Sequence, residues 1–410
     1  MGPQRVEAPR SIEREKLMIK DVYVAGGVRT PFGSFLGTLS EVSAVELGSL
    51  AVRRALARAG VQPDDIEEVY FGNVIQAGLG QNVARQVSLG AGISKHTGAV
   101  TINKVCGSSM HATIIASQAI QCGDADVIVS GGCESMTNAP YLLPKARKGY
   151  RMGNSELVDS MVHDGIWDVY NDKHMGTCGD LCAAKYEISR DRQDAFAIES
   201  YKRAIRAWED GFYKEAVVPV EIKTRKGPVV VEMDEDVSKF NEERMHKLRP
   251  AFGPEGTVTA GNASSINDGA AAMVVLSGEK VESLGVRPTG RILGYANYAT
   301  DPEWFTIAPP QAIRRLCEKV SLKIEDVDLF EINEAFAVVT VLAIDELNLD
   351  PAKVNAFGGA AAIGHPIGAT GARLINTLLH GLERTGGRIG IACLCIGGGE
   401  ADAIAVERCV

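Results

Sequence analysis

The chain repeats part of its own sequence, and this repeat constrains the fold more than any other feature does. The stretch "AGVQPDDIEEVYFGNV" (59–74) aligns without gaps with "VSLKIEDVDLFEINEA" (320–335), at an offset of 261 residues. Each stretch predicts the end of a helix, an acidic turn and a short apolar strand. The repeat has only two copies, which indicates two fused domains of similar fold rather than a solenoid.

A similar layout follows Cys106 and His365, which lie at nearly equivalent places in the two copies. The segments after them, "SSMHATIIASQAIQCG" and "GATGARLINTLLHGLERTGG", predict helices, and each precedes an almost continuously apolar strand. Strands that alternate with helices predict an α/β fold with helices on both faces of the sheet. If the two halves pack about a pseudo-twofold axis, both helix starts converge on one site.

The segment of residues 135–266 interrupts this pattern. It is rich in Met, Lys and Asp, and it carries an amphipathic stretch at 189–213. We therefore interpret it as an insertion that hangs off the first half and can fold over a ligand.

The charge balance and the termini restrict the class of partner and the compartment. A formal net charge of −9 over 410 residues argues against nucleic acid or an anionic membrane as the main partner. No apolar run reaches the roughly 18 residues of a membrane span. The start of the chain is polar, unlike a signal peptide, and the final "ERCV" is not a peroxisomal signal. We expect a loose tail over residues 1–20, no membrane association and a cytoplasmic location.

The nine cysteines favour neither a disulfide framework nor a metal site. Their number is odd, the chain is long and no secretion signal is present. Cys178 and Cys182 stand isolated, and no second Cys or His pair flanks Cys393 and Cys395 at zinc spacing. We therefore expect no metal among them and turn to chemical roles.

Cys106 lies between a β-favouring stretch and a predicted helix. The positive end of a helix dipole and free N–H groups lower the pKa of a thiol at this position. Gly107, Ser108 and Ser109 are small enough to let another molecule approach closely. The alternative is that Cys106 is a small buried residue of the core.

His365 is the one large polar side chain in the loop "GGAAAIGHPIGATGA". Gly and Ala clear space around the imidazole, and Pro366 fixes the turn at the following helix start. An imidazole in such a loop is well placed as a base or as a hydrogen-bond donor. A purely structural histidine is the alternative.

Two strand ends carry further polar candidates. Cys395 precedes Gly397–Gly399, a run that can expose backbone N–H groups as an oxyanion site requires, or can form a simple turn. Cys393 is on the same face of the strand but deeper, so we expect it in the core. Asn333 ends an apolar strand beside Glu334, where a polar amide faces the ligand crevice or caps the next element.

Seven motifs then match one known family in its own order, over about 390 residues from residue 21 to the end. They are "NKVCGSS", "SGGCESMTNAPY", "HMG" (174–176), "GTVTAGNASSINDGAA", "NEAFA", "GGAAAIGHPIGATGAR" and "CLCIGGG". The chain resembles the thiolases, and within them the acetyl-CoA acetyltransferase branch.

The resemblance implies a role for each candidate. Cys106 is the expected nucleophile that carries the acetyl group, and His365 takes its proton. Cys395 is the expected acid and base that removes a proton from the methyl group of the second acetyl-CoA. Asn333, through a water, and His365 form one oxyanion hole, and the N–H groups of Cys106 and Gly397 form the other. The expected contacts to the CoA arm or the acyl end are His174, Met175, Phe252, Ser264, Ala335 and Phe336.

The same resemblance implies a thiolase-like α/β fold in which two similar halves form a five-layered αβαβα sandwich. The N-terminal half then comprises residues 21–134 and 267–287, and the C-terminal half residues 288–410. Residues 135–266 form an inserted loop domain that covers CoA.

The implied reaction is the reversible Claisen condensation of two acetyl-CoA to acetoacetyl-CoA and CoA, and a broader-range 3-ketoacyl-CoA thiolase of β-oxidation is the alternative. Ketoacyl synthases lack the second catalytic Cys before the glycines, and a thiolase-like lipid carrier lacks the catalytic set. The resemblance further implies a homotetramer without a resident cofactor or metal, although Tyr201 matches a tyrosine that helps to bind potassium in some relatives.

The sequence also departs from the family pattern, and these departures bear on substrate range. Glu400 and Ala401 follow the three glycines, where a neutral residue and then Gly are usual. Cys133 replaces a usual Met, and the residues 179–181 replace a common Ala-Glu-Asn.

Overall fold

The computed structural model describes residues 20–410, so the predicted tail of residues 1–20 lies outside the described residues except for Lys20. The strands of the described part are β1 Val22–Arg29, β2 Gly33–Ser34, β3 Glu68–Gly72, β4 Gly98–Ile102, β5 Val127–Ser135, β6 Tyr141–Leu142, β7 Val158–Asp159, β8 Trp167–Asp168, β9 Lys173–His174, β10 Val220–Thr224, β11 Gly227–Val231, β12 Asn267–Ser277, β13 Gly290–Ala299, β14 Leu329–Ile332, β15 Ile389–Ile396 and β16 Glu400–Arg408. The helices are α1 Ala44–Ala59, α2 Val83–Gly90, α3 Ser108–Cys122, α4 Met175–Lys185, α5 Arg190–Glu209, α6 Phe212–Ala216, α7 Glu242–Met245, α8 Gly278–Ser283, α9 Ala308–Val320, α10 Ala337–Leu347, α11 Ala360–Ile363 and α12 Thr370–Thr385.

The main sheet contains a similar strand arrangement twice, with one more strand, β4, at the edge of the first half. In the first half the strand order is β1-β12-β5-β3-β4, and in the second half it is β13-β16-β15-β14. β12 and β16 are each antiparallel to both neighbours, whereas β5–β3 and β15–β14 are parallel pairs. The halves join where β1 pairs with β13 through two residue pairs. The repeat predicted from the sequence is therefore confirmed.

Three apolar cores lie between the helix layers and the strands of the two halves. One core packs α1 and α2 on the outer face of the first half, and another packs α9 and α10 on the outer face of the second half. The third core contains side chains of α3 and α12 together with strands of both halves, such as Ile114, Ile128, Leu374 and Leu394. These layers confirm the predicted five-layered sandwich.

Local sequence explains why the helices begin and end where they do. At the start of α1, Ser43 and Glu46 form a capping box that satisfies otherwise free N–H groups. Helices α1, α3 and α12 end at Gly60, Gly123 and Gly386, whose positive φ angles glycine adopts without strain. Helices α3 and α12 lie between sheets, so most of their residues are buried, and each fully buried large aliphatic side chain contributes about 1.5–3 kcal/mol.

The segment predicted as an insertion contains short hairpins and the helices α4–α7. It leaves the first half after β5 but does not hang from that half alone. Helix α5 packs on α10 and α11, and α4 packs on α10, all of which lie in the second half. The reason is that the apolar faces of α4 and α5 meet apolar residues of α10, such as Ala337 and Val339. None of the helices in residues 20–410 is long and apolar enough to cross a membrane.

A buried ion pair fastens the end of this insertion to the sheet. Arg29, at the end of β1, makes a bidentate pair with Asp234 at 2.6 and 2.7 Å, and both side chains are almost fully buried. The guanidinium also lies over the rings of Phe32 and Tyr213. Trp208 donates to the same carboxylate at 3.2 Å. The pair therefore joins β1, α5 and the segment that follows β11.

Replacement of Arg29 by Met is expected to lower the free energy of unfolding by about 3–5 kcal/mol, because it leaves the carboxylate of Asp234 buried without a cation. Denaturant unfolding of the two proteins measures the difference. Arg29→Met/Asp234→Leu, which removes both charges, should recover part of the loss. The matched control is Arg291→Met, since Arg291 forms partly exposed pairs worth about 0–1 kcal/mol. Equal losses in Arg29→Met and Arg291→Met would contradict this account.

Candidate active site

An apolar cavity of about 300 Å³ lies where the two halves and the insertion meet. Cys106 of the first half lines it together with His365, Cys395 and Gly397 of the second half. Asn333 does not line this cavity but lies directly behind His365. All six residues expected at the CoA arm or acyl end also line the cavity: His174, Met175, Phe252, Ser264, Ala335 and Phe336.

A tight turn presents the thiol of Cys106 between β4 and α3. Val105 adopts a φ of 46°, a left-handed conformation that is costly for a β-branched residue. Ser108 stabilises the turn, because its Oγ donates to the carbonyl of Val105 at 2.6 Å and accepts from the N–H of Lys104 at 2.9 Å. Gly107 lies so close to Ile396 that a Cβ would overlap that side chain. The turn therefore brings the loop of Cys106 against the end of β15.

The expected low pKa of the Cys106 thiol is wrong for the site as it stands. Burial raises the pKa of this thiol to about 11, although N–H groups of Gly397 and Cys106 itself pull it down. The sequence indicated the helix start correctly, but the loss of water around the sulfur outweighs the helix terminus. Cys106 is therefore a neutral thiol that needs a base to become a nucleophile.

Gly397 brings a backbone N–H to that thiol. It follows β15 directly, and the next two glycines turn the chain with φ angles of 95° and 91°. The tight turn needs glycine at both of these positions. The N–H of Gly397 lies close enough to the sulfur of Cys106 to lower the pKa of that thiol. An N–H at this place could serve as a donor of an oxyanion site, the role that the glycine run suggested.

Hydrogen bonds on both sides of His365 determine which ring nitrogen carries the proton. The hydroxyl of Thr370 donates to the carbonyl of Pro366 at 2.9 Å, so it accepts from Nδ1 of His365 at 2.6 Å. On the other side Nε2 lies 3.4 Å from the amide nitrogen of Asn333. The neutral imidazole therefore has its proton on Nδ1 and its lone pair on Nε2. This lone pair is the basic group available to the cavity.

Arg373 sets the orientation of Asn333, and sequence reasoning missed it. Its guanidinium donates to Oδ1 of Asn333 at 3.1 Å, which turns the amide NH₂ toward His365. It also pairs with Glu331 at 3.2 Å, and both side chains are buried. The available signal was the polar face of the helix that follows "GHPIG", where Thr370, Arg373, Asn376 and Thr377 recur at helical spacing.

Burial and charge keep the imidazole neutral. Burial, aided by the positive charge of Arg373, lowers the pKa of His365 to about 3. Burial also raises the pKa of Glu331 to about 8, an effect that Arg373 opposes and Glu334 reinforces. A neutral base next to a neutral thiol is therefore the resting state of the cavity.

Two buried glutamates hold the loop of His365 from either side. Glu334 accepts from the hydroxyl of Ser200 and the N–H of Ala361, at 2.7 and 3.0 Å. Glu134 of the first half accepts from the N–H of Gly368 at 3.0 Å, and burial raises its pKa to about 7. The role of Glu134 was missed because its partner lies 234 residues away in the sequence.

The two neighbouring cysteines of β15 have different surroundings. Cys395 lines the cavity, and burial raises the pKa of its thiol, an effect that Cys106 reinforces. Cys393 belongs to the outer core of the second half, where its thiol lies 3.7 Å from the carbonyl of Pro309. The prediction that Cys393 is the core residue is confirmed.

The far wall of the cavity is shaped around the "HMG" motif. The ring of His174 stacks on Phe252 with centroids 4.4 Å apart, and its Nδ1 accepts from the N–H of Gly176 at 3.0 Å. A side chain at Gly176 would overlap the ring of Phe252. The Cε atom of Met175 lies 3.0 Å from the place where Gly397 would carry a Cβ. Met175 therefore closes the cavity next to the N–H that faces Cys106.

Residues 20–410 contain no group of three or more His, Cys, Asp or Glu side chains that could hold a metal ion. The ring of Tyr201, the residue that suggested potassium, stacks on Phe240 with centroids 4.7 Å apart.

The protonation of His365 is expected to stay constant between about pH 8 and about pH 5, because its pKa lies well below that window. ¹⁵N NMR of protein labelled at its seven histidines measures this directly. The expected signals are those of a neutral ring with the proton on Nδ1, assigned by their loss in His365→Gln. A midpoint near the ordinary histidine value of about 6.5, or a proton on Nε2, would refute this electrostatic description.

Comparison with known proteins agrees with this geometry. Residues 22–279 match the family model described as "Thiolase, N-terminal domain", and residues 286–408 match "Thiolase, C-terminal domain". The chain is 49% identical to "Acetyl-CoA acetyltransferase 1" of Arabidopsis thaliana over 399 residues, which cover 97% of this chain and 96% of that protein. It is 46% identical to "Acetyl-CoA acetyltransferase" of Schizosaccharomyces pombe, over 95% of this chain and 99% of that one.

Solved structures give the same result. The crystal structure of Acat5 thiolase from Ascaris suum in complex with coenzyme A is 44% identical, with a TM-score of 0.90 and coverage of 95% of this chain and 100% of that chain. Acetyl-CoA acetyltransferase of Bacillus anthracis is 40% identical, with a TM-score of 0.93 and coverage of 95% and 99%. Because both family models match and these similarities extend over nearly the whole chain, the chain belongs to the thiolase family.

Proposed function

We propose that this chain is an acetyl-CoA C-acetyltransferase, which joins two acetyl-CoA molecules into acetoacetyl-CoA and CoA in a reversible Claisen condensation. The observation that carries the proposal is the single cavity shared by Cys106, His365, Cys395 and Gly397. The relatives named acetyl-CoA acetyltransferase and the neighbour solved with coenzyme A support it.

In the first half-reaction the sulfur of Cys106 attacks the thioester carbonyl carbon of acetyl-CoA. Because both groups are neutral beforehand, Nε2 of His365 takes the thiol proton as the new S–C bond forms. The N–H groups of Gly397 and Cys106 stabilise the oxyanion. The bond between the carbonyl carbon and CoA then breaks, and the leaving thiolate takes the proton of Cys395. CoA departs, and the acetyl group stays on Cys106.

This step leaves a thiolate on Cys395 and a positive charge on His365, which balance each other. The thiolate removes a proton from the methyl group of the second acetyl-CoA. Protonated His365, with a water held by Asn333, stabilises the enolate oxygen. The enolate carbon attacks the acetyl carbonyl, a C–C bond forms, and the C–S bond to Cys106 breaks. Cys106 takes the proton back from His365, so the site returns to its neutral state.

The acyl end of the cavity supports a short substrate. Met175 and Val105 both lie against Gly397, so a longer acyl chain would have to displace the side chain of Met175. Phe252 and Phe336, whose ring centroids are 6.3 Å apart, fill the wall beside it. These contacts favour acetyl transfer over the broader-range 3-ketoacyl-CoA thiolase, which needs an open groove.

The oligomeric state, the cellular compartment and the binding of potassium are further parts of this proposal. The homotetramer rests on the resemblance alone, and light scattering of the purified protein tests it. A relative of Gibberella zeae that is named cytosolic supports the cytoplasmic location. No further group is needed for the steps above, and potassium near Tyr201 is tested by the dependence of the rate on KCl.

With CoA added, the purified protein is expected to cleave acetoacetyl-CoA better than an eight-carbon 3-ketoacyl-CoA, because Met175 blocks the longer chain. An open groove would instead favour the long chain by up to about 0.8 kcal/mol per buried CH₂. The measurement is kcat/KM for both substrates in wild type and in Met175→Ala. The variant should show a smaller difference between the kcat/KM values of the two substrates. Met245→Ala, in α7 and outside the cavity, is the control.

Better use of the long chain by wild type would refute the short-chain preference. If the ratio of the two kcat/KM values is unchanged in Met175→Ala, the cause of the short-chain preference lies in another residue. No cleavage of either substrate would refute the proposed function.

Cys395→Ser is expected to separate the two half-reactions. Cys106 should still accept acetyl groups, because the CoA thiolate is a good leaving group that depends little on the proton of Cys395. Exchange of the methyl protons and condensation, which need Cys395 as a base, should fall by roughly 10²-fold or more, the usual scale for a lost acid or base. Labelled acetyl transfer and proton exchange measure the two steps separately. Cys393→Ser makes the same chemical change in the outer core and should leave their ratio unaltered. Equal losses in both steps of Cys395→Ser would show that Cys395 mainly supports the structure.

A further inference from the structure

A charged cluster lies beside the Cys106 turn and has no part in the steps above. We call Lys104, His111, Glu400 and Asp402 the Lys104 cluster. Nζ of Lys104 is 2.6 Å from Oδ1 of Asp402 and 3.1 Å from Oε2 of Glu400. Nδ1 of His111 is 3.1 Å from the other oxygen of Asp402. The cluster thus joins a cation of the first half to two carboxylates of the second half.

Lys104, Glu400 and Asp402 lie on the same backbone segments as the proposed reacting groups, or are hydrogen-bonded to those segments. Lys104 is two residues before Cys106, and its backbone N–H and carbonyl both take part in the turn that presents the thiol. Glu400 and Asp402 flank Ala401, which is the register partner of Cys395. Glu400 also pairs with Ile396 across the three-glycine turn that contains Gly397.

Because it is more buried, the Lys104–Asp402 ion pair is stronger than the Lys104–Glu400 ion pair. The side chain of Asp402 is fully buried and that of Lys104 is 17% exposed, whereas that of Glu400 is 39% exposed. A buried carboxylate without a cation is costly, so Asp402 holds Lys104 in place. Glu400 adds a second, more exposed carboxylate to the same lysine.

We propose that Lys104 is a positioning residue, which through Asp402 and Glu400 sets the distance between the sulfur of Cys106 and the N–H of Gly397. The inference rests on the proposed acetyl transfer at Cys106. That transfer needs the sulfur and the oxyanion donor in one geometry, yet they belong to different halves of the chain. The ion pairs of the Lys104 cluster link those halves, next to the contact of Gly107 with Ile396.

The test is the burst of CoA release when wild type and variants are mixed rapidly with acetyl-CoA. Lys104→Gln should lower the acetylation rate constant about 10–100-fold, up to the roughly 10²-fold loss that a misplacement of about 1 Å causes. The acetyl-CoA concentration that gives half of the maximal rate should change less than about 3-fold, because Lys104 does not line the cavity. Lys104→Arg keeps the charge and should stay within about 5-fold of wild type.

A double variant separates positioning from simple stabilisation. Lys104→Gln/Asp402→Asn removes both charges, so the melting temperature should return toward that of wild type while the acetylation rate stays low. Lys20→Gln is the matched control, because it removes a lysine–aspartate pair of 2.8 Å far from the cavity and should leave the rate unchanged.

An unchanged rate in Lys104→Gln would overturn the inference, and so would recovery of both stability and rate in the double variant. Failure of wild type to release CoA would instead overturn the proposed function. A slow Lys104→Gln with a normal half-saturating concentration, and a normal Lys20→Gln, is the result that we expect.

Discussion

The site depends on one close contact between the two halves of the chain. Gly107, in the loop of the first half, lies against Ile396, at the end of a strand of the second half. Because glycine has no side chain, the loops approach until the N–H of Gly397 reaches the sulfur of Cys106. A larger residue at Gly107 would hold the two loops apart and so would separate the N–H of Gly397 from the sulfur of Cys106. The central layer of α3 and α12 maintains this approach, because its apolar side chains pack on the strands of both halves.

The second constraint is electrostatic. Burial favours the neutral forms of the thiols of Cys106 and Cys395 and of the imidazole of His365. In the proposed mechanism, acetyl transfer therefore begins with a proton transfer from Cys106 to His365 rather than with an ion pair that already exists. The groups that hold the site lie one step further out, where the guanidinium of Arg373 orients Asn333 and the carboxyl group of Glu134, whose pKa burial raises to about 7, holds the loop of His365. The fold thus pre-orients the reacting groups while it keeps permanent charge away from the reacting atoms.

Sequence reasoning predicted two kinds of feature: segments that recur in the sequence, and single reactive side chains among small residues. The 261-residue repeat predicted two similar halves, and the cleared loops around Cys106, His365 and Cys395 predicted the side chains that share the cavity. It was wrong on the pKa of Cys106, because local position shows the helix start but not the depth of burial. It missed Arg373 and Glu134, because their partners are distant in sequence. The packing of the insertion on the second half was likewise invisible, since an amphipathic pattern does not show which surface it covers.

The central claim is that Cys106 carries an acetyl group made and released within a cavity shared by both halves. The most direct measurement is a brief acid quench after mixing with labelled acetyl-CoA, followed by mass mapping of the peptides. The account predicts one label per chain, on Cys106, formed together with released CoA and removed again when acetoacetyl-CoA forms. Label on Cys395 or elsewhere, or acetoacetyl-CoA formation without any labelled Cys106, would contradict it.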